Sequence, residues 1–230
     1  MRRAILVLLM ISGFTPAFGQ TVGWRIDGDG RYLDATPPLT WAPGKNVIWK
    51  TVMPSWSNAS PVLLEDGSRI FVTSEPDEVV AVNPVDGKIL WKRSLKDVTL
   101  DRVITHKANG WTSPTPRSDG RRVYTVFGSG VVAAHSIDGK RLWAREVQQP
   151  VHKWGFSVSP VIDEGNLIVH LVDLIALDPE TGKEVWRRAA KVTFGSSVVT
   201  QVGGTDVVIT ASGDVFQAKD GSPVARYRKA

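Results

Sequence analysis

From about residue 60 onward, apolar positions come in short bursts separated by Gly, Asp, Asn and Pro. "RIFVTS" (69–74), "RRVYTVF" (121–127) and "NLIVHLV" (166–172) are examples, rich in β-branched and aromatic residues. Bursts of this length and composition predict β-strands, and no stretch of the chain after residue 19 carries the 3.6-residue period of a helix. Between them, "EDG" (65–67), "SDG" (118–120) and "DEGN" (163–166) supply the Gly and Asp that tight hairpin turns require.

The strands recur as a set. "AVNPVDGKILW" (81–91), "AAHSIDGKRLW" (133–143) and "ALDPETGKEVW" (176–186) each place Ala and Trp ten residues apart. Gly87, Gly139 and Gly182 fall at one phase, each followed by Lys, and lead to Trp91, Trp143 and Trp186. Upstream stand Ser60-Pro61, Ser113-Pro114 and Ser159-Pro160. Each unit therefore reads as four strands: a Ser-Pro strand, its hairpin partner, a third strand, then a Gly turn into a Trp strand. From Trp49 the steps between successive Trp are 42, 52 and 43 residues. A four-stranded repeat of that period predicts an all-β protein built as a β-propeller, with about four antiparallel blades. The recurring Trp is expected to wedge between adjacent blades.

A fourth unit, residues 196–227, keeps the strands and a Gly-Gly hairpin but lacks the Pro. Its last turn reads as shortened, and Ala225 or Tyr227 takes the place of the Trp. "KNVIWKTVMP" (45–54) resembles the outer strand of a blade whose first three strands do not precede it. Either that strand pairs irregularly with the worn fourth unit or the chain is the front half of a longer propeller, the favoured expectation, with missing blades supplied by a longer chain or another subunit. Three segments follow: a signal peptide (1–19), an N-terminal segment with the spare outer strand (20–55) and the blades (56–230).

Composition adds location. Arg2 and Arg3 precede the apolar "AILVLLMISGF" (4–14), which is too short to span a bilayer, and Ala17 and Gly19 suit a cleavage site. The expected product is periplasmic or secreted, with no transmembrane segment. Removing residues 1–19 takes two Arg from the net charge of +5, leaving +3 without a basic block. That balance argues against a nucleic-acid partner. The chain has no cysteine, which excludes disulfides and thiolate metal sites.

The pattern Ala-x-Asp-x-x-Thr-Gly-Lys-x-x-Trp resembles the tryptophan-docking motif of quinoprotein, or pyrroloquinoline-quinone-like, propeller repeats. Residues 176–186 match it in full; residues 81–91 substitute Asn83 and Asp86, and residues 133–143 substitute His135 and Asp138. The resemblance covers residues 24–230 and implies the propeller fold. For function it implies two outcomes. Some members are dehydrogenases that hold pyrroloquinoline quinone and calcium in a central funnel. Others bind no cofactor and act as scaffolds, among them a barrel-assembly lipoprotein. The dehydrogenases' adjacent-cysteine disulfide has no counterpart in this chain, and their Glu, Asn and Asp calcium ligands and catalytic Asp are not placed on its sequence. The lipoprotein's anchor Cys is missing too. The favoured reading is a non-catalytic scaffold binding a protein or small ligand at the funnel face. The alternative is a quinone- and calcium-dependent dehydrogenase, or part of one.

Candidate chemistry gathers before the innermost strands. His106-Lys107 and His152-Lys153 each lie seven residues before a Ser-Pro pair, with Trp111 and Trp154 nearby. They are expected to form a cationic, aromatic rim suited to an anionic ligand. Asp27, Asp29 and Asp34 lie on a Gly-rich loop, but their spacing fails the EF-hand pattern and no metal site is assigned. His135 and His170 fall on strands and are expected in the core or on its surface.

Overall fold

The computed structural model describes residues 22–25, 30, 36–98 and 105–226. The proposed signal peptide, the Asp27, Asp29 and Asp34 loop, and Tyr227 lie outside the described residues. Sixteen strands form four sheets of four, every pairing antiparallel and every sheet a simple meander. The first sheet holds β1 (Val62–Leu63), β2 (Ile70–Ser74), β3 (Glu78–Val82) and β4 (Ile89–Ser94). The second holds β5 (Arg117–Ser118), β6 (Arg122–Val126), β7 (Val131–Ser136) and β8 (Arg141–Glu146). The third holds β9 (Val161–Asp163), β10 (Asn166–His170), β11 (Leu174–Leu177) and β12 (Glu184–Arg188). The fourth holds β13 (Val198–Val202), β14 (Thr205–Ile209), β15 (Val215–Gln217) and β16 (Pro223–Ala225). The all-β, four-stranded repeat expected from the sequence is the architecture observed.

The core is three seams between sheets. Successive side chains of a strand point to opposite faces, so a strand buried on both faces must be apolar throughout. In β7, Val131 and Ala133 enter the seam with the first sheet, while Val132 and Ala134 enter the seam with the third. In β11, Ile175 and Leu177 face the second sheet, whereas Leu174 and Ala176 face the fourth.

Each seam is closed at its outer edge by an indole. Trp91, Trp143 and Trp186 are nearly buried, at 9%, 8% and 6% exposure. Each lies over the glycine of the next sheet's last turn: Trp91 on Gly139, Trp143 on Gly182, Trp186 on Gly221. A Cβ at Gly182 would stand 2.6 Å from the Trp143 ring, and its φ of 67° is one that L side chains rarely adopt. Each indole Nε1 also donates to a carbonyl of that turn: to Ile137 at 2.9 Å, Pro179 at 3.0 Å and Ala218 at 3.2 Å. A second contact follows two residues later, where Arg93 Nε donates to the Gly139 carbonyl and Arg188 Nε to that of Gly221.

The N-terminal segment enters this scheme without being a strand. Residues 46–54 join no sheet, so the spare outer strand of the sequence reading is corrected to an irregular segment. Trp49 nevertheless lies on Gly87, donates to Pro84 O at 2.8 Å, and is followed by Thr51, which donates to Gly87 O. No sheet of its own backs it, and Ile48 and Val52 stay 90% and 91% exposed.

Two further registers differ from the sequence reading. The last turn of the fourth unit is full length: Gln217 and Ser222 bond as Asn83 and Lys88 or Asp178 and Lys183 do. The short turn is that of the second unit, where Ser136 bonds Lys140. Trp143 therefore pairs with Ala134 rather than Ala133, Ser136 and not His135 takes the turn-opening position, and Ala225 stands where the fourth Trp would be. At the innermost strands, Thr115-Pro116 and not Ser113-Pro114 is the counterpart of Ser60-Pro61. Ser60 N donates to Thr115 Oγ1 (3.1 Å), Thr115 N to Ser159 Oγ (3.0 Å) and Ser159 N to Ser196 Oγ (3.0 Å), one relay across all four sheets.

His135 and His170 are buried, and neither imidazole has a hydrogen-bond partner among the described residues. Burial, aided by Arg141 and Arg93, lowers His135 from its ordinary 6.5 to about 4. Burial also lowers His170.

Two tests follow from the seams and the buried imidazoles. In urea denaturation, Trp143→Ala is expected to lose about 4 kcal/mol and Gly182→Ala about 2–3 kcal/mol, whereas Trp143→Phe, which keeps a ring and loses one hydrogen bond, loses less than either. Between pH 6.5 and about 4 the unfolded chain binds a proton at His135 that the folded chain refuses, so stability falls as pH drops through that window. His135→Leu is expected to abolish about 3 kcal/mol of that pH-dependent loss. A denaturation series at pH 7, 5.5 and 4 on both proteins measures it.

Candidate functional site

The loops that lead into the innermost strands of the second, third and fourth sheets meet at one end of the molecule. Their described parts are residues 105–116, 147–160 and 189–197. Side-chain amides and hydroxyls tie them together in chain order. Asn58 Nδ2 donates to the carbonyls of Ala108 (3.1 Å) and Asn109 (3.2 Å). Asn109 Nδ2 donates to Trp154 O, and Ser157 Oγ to Phe194 O at 3.4 Å. His106 N also donates to Lys153 O at 2.6 Å. A loop whose backbone groups are met by its neighbour is held in place without regular structure.

The two His-Lys pairs do not share a phase, because the counterpart of Ser159 is Thr115. His106 lies nine residues before Thr115, and His152 lies seven before Ser159. They are brought together all the same, each against the aromatic ring of the following loop. His106 stacks on Trp154 with ring centroids 4.4 Å apart, and His152 on Phe194 at 5.2 Å. Lys107 and Lys153 are exposed beside them. Trp154 and Phe194 keep 47% and 59% of their surface in solvent. Trp111 is not on the open rim: it packs against the core between the first and second sheets. Its amide and that of Thr112 each donate to Glu75 Oε1 at 2.7 Å.

Asn109, Trp154 and Phe194 line a shallow pocket of about 280 Å³. Each immediately precedes a glycine: Gly110, Gly155 and Gly195. The first two have φ of 62° and 67°, and a Cβ on Gly155 would strike the Gly128 carbonyl at 2.7 Å. Those glycines let the loops close on the sheets and turn the preceding side chain outward. Asn109 and Phe194 were not anticipated from sequence; the x-Gly step before the innermost strands of the second, third and fourth sheets is the signal that marks them.

The described parts of these loops carry Lys107, Lys153 and Lys191 and no Asp or Glu. The site can therefore attract an anionic group and cover apolar surface at the same place. Among the described residues no three His, Cys, Asp or Glu gather as a group that could hold a metal ion.

Comparison with known proteins agrees with this architecture. The family model described as outer membrane protein assembly factor BamB matches residues 40–221. A polyvinylalcohol dehydrogenase of Sphingopyxis sp. (strain 113P3) is 25% identical over 193 residues, covering 75% of this chain and 28% of that protein. BamB of Yersinia pestis is 23% identical over 163 residues, covering 53% of this chain and 42% of that protein. The chain thus spans less than half the length of either relative. Among solved structures, BamB from Moraxella catarrhalis superposes with a TM-score of 0.57 at 17% identity, over 80% of this chain and 56% of that one. The quinohemoprotein alcohol dehydrogenase ADHIIG of Pseudomonas putida HK5 gives 0.58 at 14% identity, over 79% of this chain and 35% of that one. At such identities the structures speak for the fold alone. Four meandering sheets docked by indoles, together with a family model matched over most of the chain, place it: the chain belongs to the BamB-like family of pyrroloquinoline-quinone-type β-propeller repeat proteins.

Proposed function

We propose that the chain is a non-catalytic scaffold of the bacterial envelope, and that its loop face binds an acidic, aromatic-bearing segment of a protein partner. The observation that carries this reading is the pairing of exposed Trp154 and Phe194 with lysines and no carboxylate in the described loops. Aromatic anchors ringed by like charge are what protein interfaces use for affinity and for steering. The rigid tying of the loops supports a preformed surface, which lowers the ordering cost of binding. The BamB relatives supply the analogy to an assembly factor. The apolar, basic N-terminus supports export. Among the described residues no helix is long and apolar enough to cross a membrane.

The dehydrogenase reading keeps a relative in its favour, while among the described residues no three His, Cys, Asp or Glu gather. Pyrroloquinoline quinone and calcium therefore enter as a control.

The test is fluorescence anisotropy of the full chain with a labelled peptide of alternating Asp and Phe. Saturable binding is expected, weakened at least about tenfold by Trp154→Ser and by the pair Lys107→Gln, Lys153→Gln. These residues are exposed, so the variants are expected to fold. Equal binding by the variants, or by a Lys-Phe peptide, overturns the proposal. Calcium-dependent binding of the quinone with dye-linked alcohol oxidation replaces it with the dehydrogenase.

A further inference from the structure

The seam between the first and second sheets differs from the others, because the turn that Trp91 covers is one residue shorter. A cavity of about 410 Å³ lies beside that turn, lined by Arg93, Ser94, Asp97, His135, Lys140 and Arg141 together with Gly139. At the seam between the third and fourth sheets, Arg188 binds the turn twice, through Nε to Gly221 O and Nη2 to Asp220 O. Arg93 makes only the first of these bonds, Nε to Gly139 O at 2.7 Å; its Nη1 goes back to Lys92 O.

The charges around the cavity do not balance. Arg141 holds Asp97 in a bidentate pair, at 2.7 and 2.6 Å, which neutralises the lining's carboxylate. Arg93 and Lys140 remain. Beneath them is His135, fully buried, its ring 6.1 Å from that of Trp91 and both nitrogens without a partner among the described residues.

We propose that this cavity is a binding site for a tetrahedral oxyanion, either free phosphate or the phosphoryl group of a larger molecule, held between Arg93 and Lys140 above the His135 imidazole. Forked guanidinium and flexible ammonium donors together suit a phosphoryl group. The site uses none of the loop-face residues, so it stands or falls independently of the proposed partner surface.

The experiment is isothermal titration of the full chain with inorganic phosphate at fixed ionic strength. One saturable site per chain is expected. Lys140→Ala, an exposed position outside the seam contacts, is expected to weaken it at least about tenfold. So is insertion of one Ala between Ile137 and Asp138, which restores the turn length of the other units and fills the cavity. Urea denaturation of both variants checks that they remain folded. A parallel arm uses vesicles of phosphatidylglycerol against phosphatidylcholine. Phosphate binding without vesicle binding assigns a free anion; binding to phosphatidylglycerol that both variants lose assigns a headgroup. No saturable phosphate or vesicle binding by the parent chain, or equal binding by both folded variants, overturns the proposal.

Discussion

An indole laid on a glycine is the contact on which the rest of this molecule depends. A four-stranded antiparallel sheet has two faces, and middle strands such as β7 and β11 are apolar on both. Burying one face leaves the other exposed until a second sheet covers it. The glycine lets a ring approach the turn backbone directly, the indole N–H meets a turn carbonyl, and the arginine two residues later meets the glycine carbonyl. The outer strands of the first and third sheets thereby each supply apolar cover, a hydrogen bond and a charge-assisted bond at the outer edge of the seam.

The loop face rests on that rigidity. Its loops have no regular structure, yet amide side chains from one loop hold the carbonyls of the next, and imidazole rings lean on the following aromatic. A displaced seam would separate Asn109 from Trp154 as surely as it would open the core. The same scheme of neighbour meeting neighbour operates at the inner edge through the Ser60, Thr115, Ser159 and Ser196 relay, at the outer edge through the indoles, and at the loop end.

Much of the fold was legible because its determinants are local. The strand bursts, the Gly turns and the Trp spacing each follow from period-two burial and positive-φ geometry, and both can be read from a single unit. Register was harder. Ala133 and Trp143 keep the ten-residue spacing of the other units although the turn between them is a residue shorter, because the alanine before Ala134 mimics the expected one. Ser113-Pro114 imitated Thr115-Pro116 in the same way. Trp49 reads as a strand residue because docking requires only the indole and the glycine, not a ladder. The loop face was half legible. His106, His152 and Trp154 stand out as residue types, but which ring each imidazole meets depends on the neighbouring loop, and Phe194 has no mark except the glycine after it.

The inner relay gives the molecule a direction. Each sheet offers a backbone N–H to the sheet after it and a hydroxyl to the sheet before it, and the indole contacts run the same way. Its two ends are therefore unlike, as in a filament with a plus and a minus end. Two ends of the same kind cannot repeat these contacts, in which an amide of one sheet meets a hydroxyl of the next. A sheet added to the array through these same contacts, from whatever chain, enters head to tail, whereas a twofold-symmetric pairing has to use other contacts.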